Sequence, residues 1–169
     1  MNNIIETSIQ GFIIKWAEKK DIKLIKKFIV ELAEYEKLAH EVVVRENDLD
    51  TYLFGEKKLA EVLIGYFNNQ PVGFALFFRN FSTFLGKPGI YLEDIFIREK
   101  FRGRGFGKAL LIELSKIAVE RDYGRLEWAV LDWNKSAINF YESLGANIMK
   151  EWLICRVTGN ALNKLAGLL

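Results

Sequence analysis

Apolar and polar positions alternate loosely over residues 11–17 (GFIIKWA), which predicts a first strand. The period then changes. Ile22, Ile25, Ile29 and Leu32 recur at helical spacing behind Asp21, which stands where an N-cap belongs, so a helix is expected to about Glu36 or Leu38. Residues 48–54 are a candidate short second helix. Two apolar runs, 60–67 and 72–78, flank Asn68-Asn69-Gln70-Pro71. Asn tolerates positive φ and Pro cannot continue a ladder, so the pair reads as a hairpin. After a loop over 82–89, the run IYLEDIFIR at 90–98 predicts another strand, and a glycine cluster follows it. Leu110, Leu114, Ile117 and Ala118 share one face of a long helix. Residues 125–131 return as a strand, and Asn134 caps a short helix ending near Gly145. A last strand or pair of strands is expected over 148–157, and a terminal helix over 160–166. The order β-α-α-β-β-β-α-β-α-β predicts an α/β (α+β) fold, a mixed sheet with helices packed against it.

Composition narrows the class. The chain has 169 residues, half of them hydrophobic, which predicts a single domain over 1–169 with a sizeable core. Twenty-four basic and 22 acidic side chains nearly cancel, so a dedicated nucleic-acid binder is not expected. No apolar stretch approaches the ~18 residues of a membrane span, and no basic segment followed by an apolar run opens the chain. Cys155 is the only cysteine, which rules out an intrachain disulfide framework and is consistent with a reducing compartment. A soluble cytoplasmic protein is therefore expected. Cys155 lies in an apolar run and reads as a buried packing residue. His40 is the only histidine, so no His-based metal cluster or Ser-His triad can form, and no metal is expected.

Candidate chemistry starts at Arg102-Gly103-Arg104-Gly105-Phe106-Gly107-Lys108, between a strand and a helix. Glycines let a backbone approach a ligand closely, and a helix start offers unpaired N–H groups with partial positive charge. A pyrophosphate suits that arrangement. The P-loop pattern fails at Arg102 and Ala109, and the dinucleotide fingerprint fails at Lys108. An ordinary glycine-rich turn remains the alternative.

With those residues in view, the chain resembles the Gcn5-related N-acetyltransferase (GNAT) superfamily. Its coenzyme A signature, Arg/Gln-x-x-Gly-x-Gly/Ala, is matched by Arg102, Gly105 and Gly107, and its downstream Asn…FYxxxGA stretch by Asn134 and Asn139-Phe140-Tyr141-Glu142-Ser143-Leu144-Gly145-Ala146. More narrowly it is similar to the diamine (spermidine/spermine) acetyltransferases and their thialysine N-ε-acetyltransferase relatives. Glu31-Leu32-Ala33-Glu34-Tyr35-Glu36-Lys37, Tyr91-Leu92-Glu93-Asp94, Val130-Leu131-Asp132-Trp133-Asn134 and Lys164-Leu165-Ala166-Gly167 carry that likeness. Spermidine/spermine enzymes have an acidic residue aligned with Thr83, an anchor for a long polyamine that this chain lacks, and the wording of residues 130–134 and 164–167 is nearer the thialysine type.

The resemblance implies a mostly antiparallel sheet, splayed at an acetyl-CoA site, with helices on both faces. It implies that pyrophosphate lies on the backbone of Arg102, Gly103, Arg104, Gly105, Phe106, Gly107 and Lys108, and pantetheine along Ile95, Phe96 and Ile97. Asn134, Lys135, Ser136 and Ala137 would border the coenzyme, with Tyr141 facing the sulfur. A homodimer and a small-molecule amine partner follow from the family as well. A different amine, such as an amino acid or a protein N-terminus, and a non-catalytic coenzyme-binding module are the competing readings.

Amine acetylation needs a neutral nucleophile. An amine with a pKa of ~10.4 is neutral in about one molecule in 2,500 at pH 7, a handicap of roughly 4.6 kcal/mol, so a base is valuable. Glu93 is the candidate base: mid-strand among apolar neighbours, desolvation and Asp94 would favour its neutral form. Adjacent strand residues face opposite sides, so only one of Glu93 and Asp94 is expected to line a given cleft. Tyr141 is the candidate acid toward the leaving thiol. A cationic acceptor calls for carboxylates and aromatic faces, and Tyr35, Glu36, Glu93, Glu127, Trp128, Ala129, Asp132 and Trp133 are the candidates.

Overall fold

The computed structural model describes residues 3–168, which form two compact units meeting at the Ala129/Val130 boundary. The first unit holds one six-stranded sheet in the order β1-β2-β3-β4-β5-β6. Its strands are β1 (Ile4–Glu6), β2 (Phe12–Trp16), β3 (Glu61–Phe67), β4 (Gln70–Ser82), β5 (Lys87–Ile97) and β6 (Leu126–Trp128). Neighbours from β1 to β5 pair antiparallel, and β5 with β6 pairs parallel. Helix α1 (Ile22–Tyr35) and the short α2 (Glu46–Leu49), which runs on into a π-helical turn at Asp50–Phe54, join β2 to β3. Helix α3 (Phe106–Glu120) is the crossover that a parallel β5–β6 pair requires.

Each face of the sheet buries its own apolar set. On one, Ile25, Phe28 and Leu32 of α1 pack with Leu49, Leu53, Val62, Ile64, Phe74, Leu76 and Phe96. Phe28 stacks on Phe74 with centroids 5.3 Å apart. On the other, Phe106 at the start of α3 stacks on Phe12 at 4.2 Å and leans on Phe67 at 5.1 Å. The alternation along β3 explains the division: Val62, Ile64 and Tyr66 face α1, so Phe67, an odd number of residues from each, faces α3.

The strand and helix expectations hold for β2, α1, β3 and α3, β6 forms only over Leu126–Trp128 of the expected 125–131 run, and β4 and β5 extend beyond the expected ends to form one long hairpin. The short strand β1 carries no sequence signal of its own. In the second unit, α4 (Lys135–Ser143) and α5 (Gly159–Leu165) form as expected. The strand expected over 148–157 does not. Those residues have no regular structure beyond a turn, and Trp152, Leu153 and Ile154 are exposed. An apolar run predicts a strand only where a partner edge completes its hydrogen bonds, and 148–157 pairs with no strand among the described residues. Cys155 is accordingly exposed rather than buried. No helix among the described residues is long and apolar enough to cross a membrane.

Candidate active site

The β5–β6 ladder stops at Leu92↔Trp128, while β5 continues to Ile97. Beyond Leu92 the sheet is therefore opened on that side, leaving Ile95, Phe96 and Ile97 on a strand edge that β6 does not cover. Phe96 and Ile97 bury their side chains, so only their backbone is available along that edge.

A bulge sits at the start of the opening. Leu76 pairs with Asp94 and Phe77 pairs with Leu92, so Glu93 is the extra residue. Leu92 thus shares the α3 face with Phe77, whereas Asp94 and Phe96 share the α1 face with Leu76 and Phe74. The simple alternation expected along this strand breaks at Glu93, and Glu93 is exposed rather than buried. The carboxyl that burial tunes is Asp94, pushed up to about 7 by desolvation first, then by the charges of Glu93 and Glu36. Glu36, at the C-cap of α1, is also raised by burial. Asp94 is thus within electrostatic reach of both Glu36 and Glu93. Asp94 is the residue sequence reasoning undervalued: its motif was visible, but the bulge that turns it under α1 was not.

The turn after β5 is built on left-handed glycines. Gly103 has φ +73° and Gly105, the N-cap of α3, has φ +83°. No side chain caps α3 there, and the first helical N–H to reach a carbonyl is that of Ala109, which donates to Gly105 at 2.9 Å. The amides of Phe106, Gly107 and Lys108 precede it and lack intrahelical acceptors, as at any helix start. A diphosphate fits that cradle, since backbone N–H groups and the positive end of a 15-residue helix converge on it. Phe106 contributes backbone only, because its ring is buried. Arg102 donates from Nε to the Ile97 carbonyl at 2.8 Å and lies 4.2 Å over the Tyr35 ring. The Arg104 guanidinium lies over Phe67 and Phe101 at 5.6 and 5.8 Å. Lys108 is exposed on the first turn of α3.

Of the expected acceptor residues in the first unit, Tyr35 ends α1 and Glu36 caps it within electrostatic reach of Asp94, and Glu127 and Trp128 lie on β6 with Ala129 just beyond. Glu127 is already engaged, accepting from Asn80 Nδ2 at 2.9 Å and pairing with Arg125 at 3.1 Å. In the second unit the Asn134 side chain caps α4 by accepting from the Ala137 amide at 3.2 Å, as its spacing predicts. Lys135 Nζ donates to the Asp132 carbonyl at 2.6 Å; Ser136 and Trp133 are exposed. Tyr141 lies on α4 with its ring 5.4 Å from that of Phe140. The helix closes in a Schellman arrangement, Gly145 N–H donating to Glu142 and Ala146 N–H to Tyr141, which explains the Gly-Ala after the tyrosine.

A family model described as "Acetyltransferase (GNAT) family" matches residues 13–146. This chain belongs to that family. It is a GNAT acetyltransferase, an enzyme of acetyl transfer to amines, and the family uses acetyl-CoA. L-ornithine N5-acetyltransferase NATA1 of Arabidopsis thaliana is 35% identical over 97% of this chain and 93% of its own length. Thialysine N-epsilon-acetyltransferase of Mus musculus is 36% identical over 91% of this chain and 96% of its own. Among solved structures, the Vibrio cholerae integron cassette protein VCH_CASS6 is 30% identical with a TM-score of 0.77, over 93% of this chain and 98% of that one. A soil-metagenome aminoglycoside acetyltransferase, meta-AAC0020, shares the fold at a TM-score of 0.74 with 16% identity, over 88% of this chain and 96% of that one.

Proposed function

We propose that this GNAT enzyme transfers the acetyl group of acetyl-CoA to the primary amine of a small cationic acceptor, of the diamine or thialysine kind, by direct attack in a ternary complex. The observation that carries the reading is Asp94, half-buried where β5 leaves β6 and within electrostatic reach of Glu93 and Glu36. Burial and the charges of Glu93 and Glu36 raise the protonation of Asp94, and a bound cation relieves that repulsion. Ornithine and thialysine, named in two relatives, are both short amines of this kind.

In this reading the amides of 103–108 hold the diphosphate, and the open edge at Ile95, Phe96 and Ile97 carries the pantetheine arm. A backbone N–H near Ile95 stabilises the tetrahedral oxyanion. Glu93, exposed at the bulge, accepts the amine proton directly or through water. Tyr141 protonates the departing thiolate, with Asn134, Lys135, Ser136 and Ala137 bordering the coenzyme. Tyr35, Glu36, Glu127, Trp128, Ala129, Asp132 and Trp133 receive the amine. The two units serve one domain, since the family match runs through their boundary. The enzyme works in the cytoplasm as a homodimer, a state that the exposed Trp152, Leu153 and Ile154 favour.

The test is turnover against a panel of amines, read as coenzyme release: diamines, spermidine, ornithine, lysine, thialysine, neutral amino acids and a peptide N-terminus. Diamines or thialysine-like amines should lead. A peptide or a neutral amino acid at the head of the panel would refute the acceptor assignment.

A further inference from the structure

The end of β5 sends two arginines back onto one face of α1. Phe28, Glu31 and Tyr35 stand at helical positions i, i+3 and i+7, a single stripe. Arg98 takes the upper part: its Nε and Nη2 donate to the two Glu31 oxygens at 2.7 and 2.9 Å, its guanidinium lies 4.7 Å over Phe28, and its Nη1 donates to the Pro71 carbonyl at 2.7 Å. Arg102 takes the lower part. Its Nε is held by the Ile97 carbonyl, and its plane lies 4.2 Å over Tyr35, with Phe96 at 5.6 Å. Gly103 follows at once, so the arginine that stacks on the last residue of α1 is also the first residue of the phosphate-binding turn. Glu36 is the next residue after Tyr35.

We propose that the Arg102–Tyr35 stack is a positioning contact that couples coenzyme binding to amine binding, an inference that rests on the reading of function above. A diphosphate that orders the turn fixes the backbone at Arg102. The guanidinium, tied at Nε, then holds the Tyr35 ring and with it the α1 end that presents Glu36. An amine bound at Glu36 holds the same contact from the other side. Linkage makes the effect reciprocal: each ligand tightens the other by one common factor. Tyr35 is 38% exposed, so the stack is of the solvent-facing kind and its removal should change that factor about two- to fivefold.

Coenzyme A without an acetyl group gives a complex that cannot turn over. Its dissociation constant is measured by calorimetry with and without the saturating amine that leads the panel, and the ratio is the coupling factor. Tyr35→Leu should lower the ratio about two- to fivefold, and Tyr35→Phe, which keeps the ring, should retain it. Arg102→Gln should lower it by the same factor, with no further loss in the double variant. A ratio of one in the native chain, or a Tyr35→Leu chain that binds both ligands less well at an unchanged ratio, overturns the coupling alone. Absence of turnover with every amine overturns the coupling and the acetyltransfer reading together.

Discussion

Asp94 makes stability depend on pH in a direction opposite to that of an ordinary salt-bridged carboxylate. Its carboxyl is pushed from 3.8 to about 7 in the folded chain, by burial and by Glu93 and Glu36. Between those values the folded protein holds a proton that the unfolded chain has released. Unfolding then gives up a proton, so stability falls as pH rises through the window. The stabilisation is fully present below about pH 4 and fully lost above about pH 7. A shift of about three units at 1.36 kcal/mol each amounts to about 3–5 kcal/mol. Asp94→Asn removes the ionisable group at nearly constant shape. Urea unfolding of both proteins from pH 4 to pH 8 isolates the effect of Asp94 together with its coupling to Glu93 and Glu36, because the titrations of groups remote from it cancel in the difference. The variant should gain about 3–5 kcal/mol relative to the native chain between the ends of that range, most of it between pH 4.5 and pH 7. A difference that stays flat across the series would show that Asp94 is not held protonated under α1, and the electrostatic picture of the site would fall with it.

Other perturbations test neighbouring parts. Arg98→Met leaves Glu31 without its bidentate partner and strips a donor from Pro71; about 2–4 kcal/mol of stability should go, and Arg98→Met with Glu31→Leu should recover part of it in denaturant titrations. Lys37 closes the Schellman end of α1 in a left-handed conformation at φ +63°, so Lys37→Gly should raise stability by about 0.5–1 kcal/mol, read as a higher midpoint in urea. Tyr141→Phe should slow turnover with coenzyme affinity nearly unchanged, whereas a large loss of affinity would make the residue structural. Glu93→Gln should cost most activity at neutral pH and recover as the amine deprotonates on its own; a flat pH response would count against the base assignment.

Much of this enzyme can be read from local sequence because its decisive features are local. The strand–glycine–helix wording of residues 102–108 names a cradle whose chemistry lies in backbone amides, and those need only left-handed glycines and an uncapped helix start. Asn134 and Gly145 bracket α4 for the same reason, since caps are satisfied within a turn of the residue that makes them. The helical stripe of α1 and the hairpin at Asn68 follow from period and turn chemistry.

What the chain could not announce depends on partners distant in sequence. One inserted residue relative to β4 moves Asp94 under α1 and Glu93 outward, and a bulge has no composition signal because it exists only as a register between two strands. The stacking of Arg102 on Tyr35 joins positions far apart in the chain, and neither residue type predicts the other. Residues 148–157 show the converse, an apolar run rich enough to be a strand that pairs with none among the described residues. Side-chain pattern supplies the tendency to extend, but only a second edge at hydrogen-bonding distance turns that tendency into sheet.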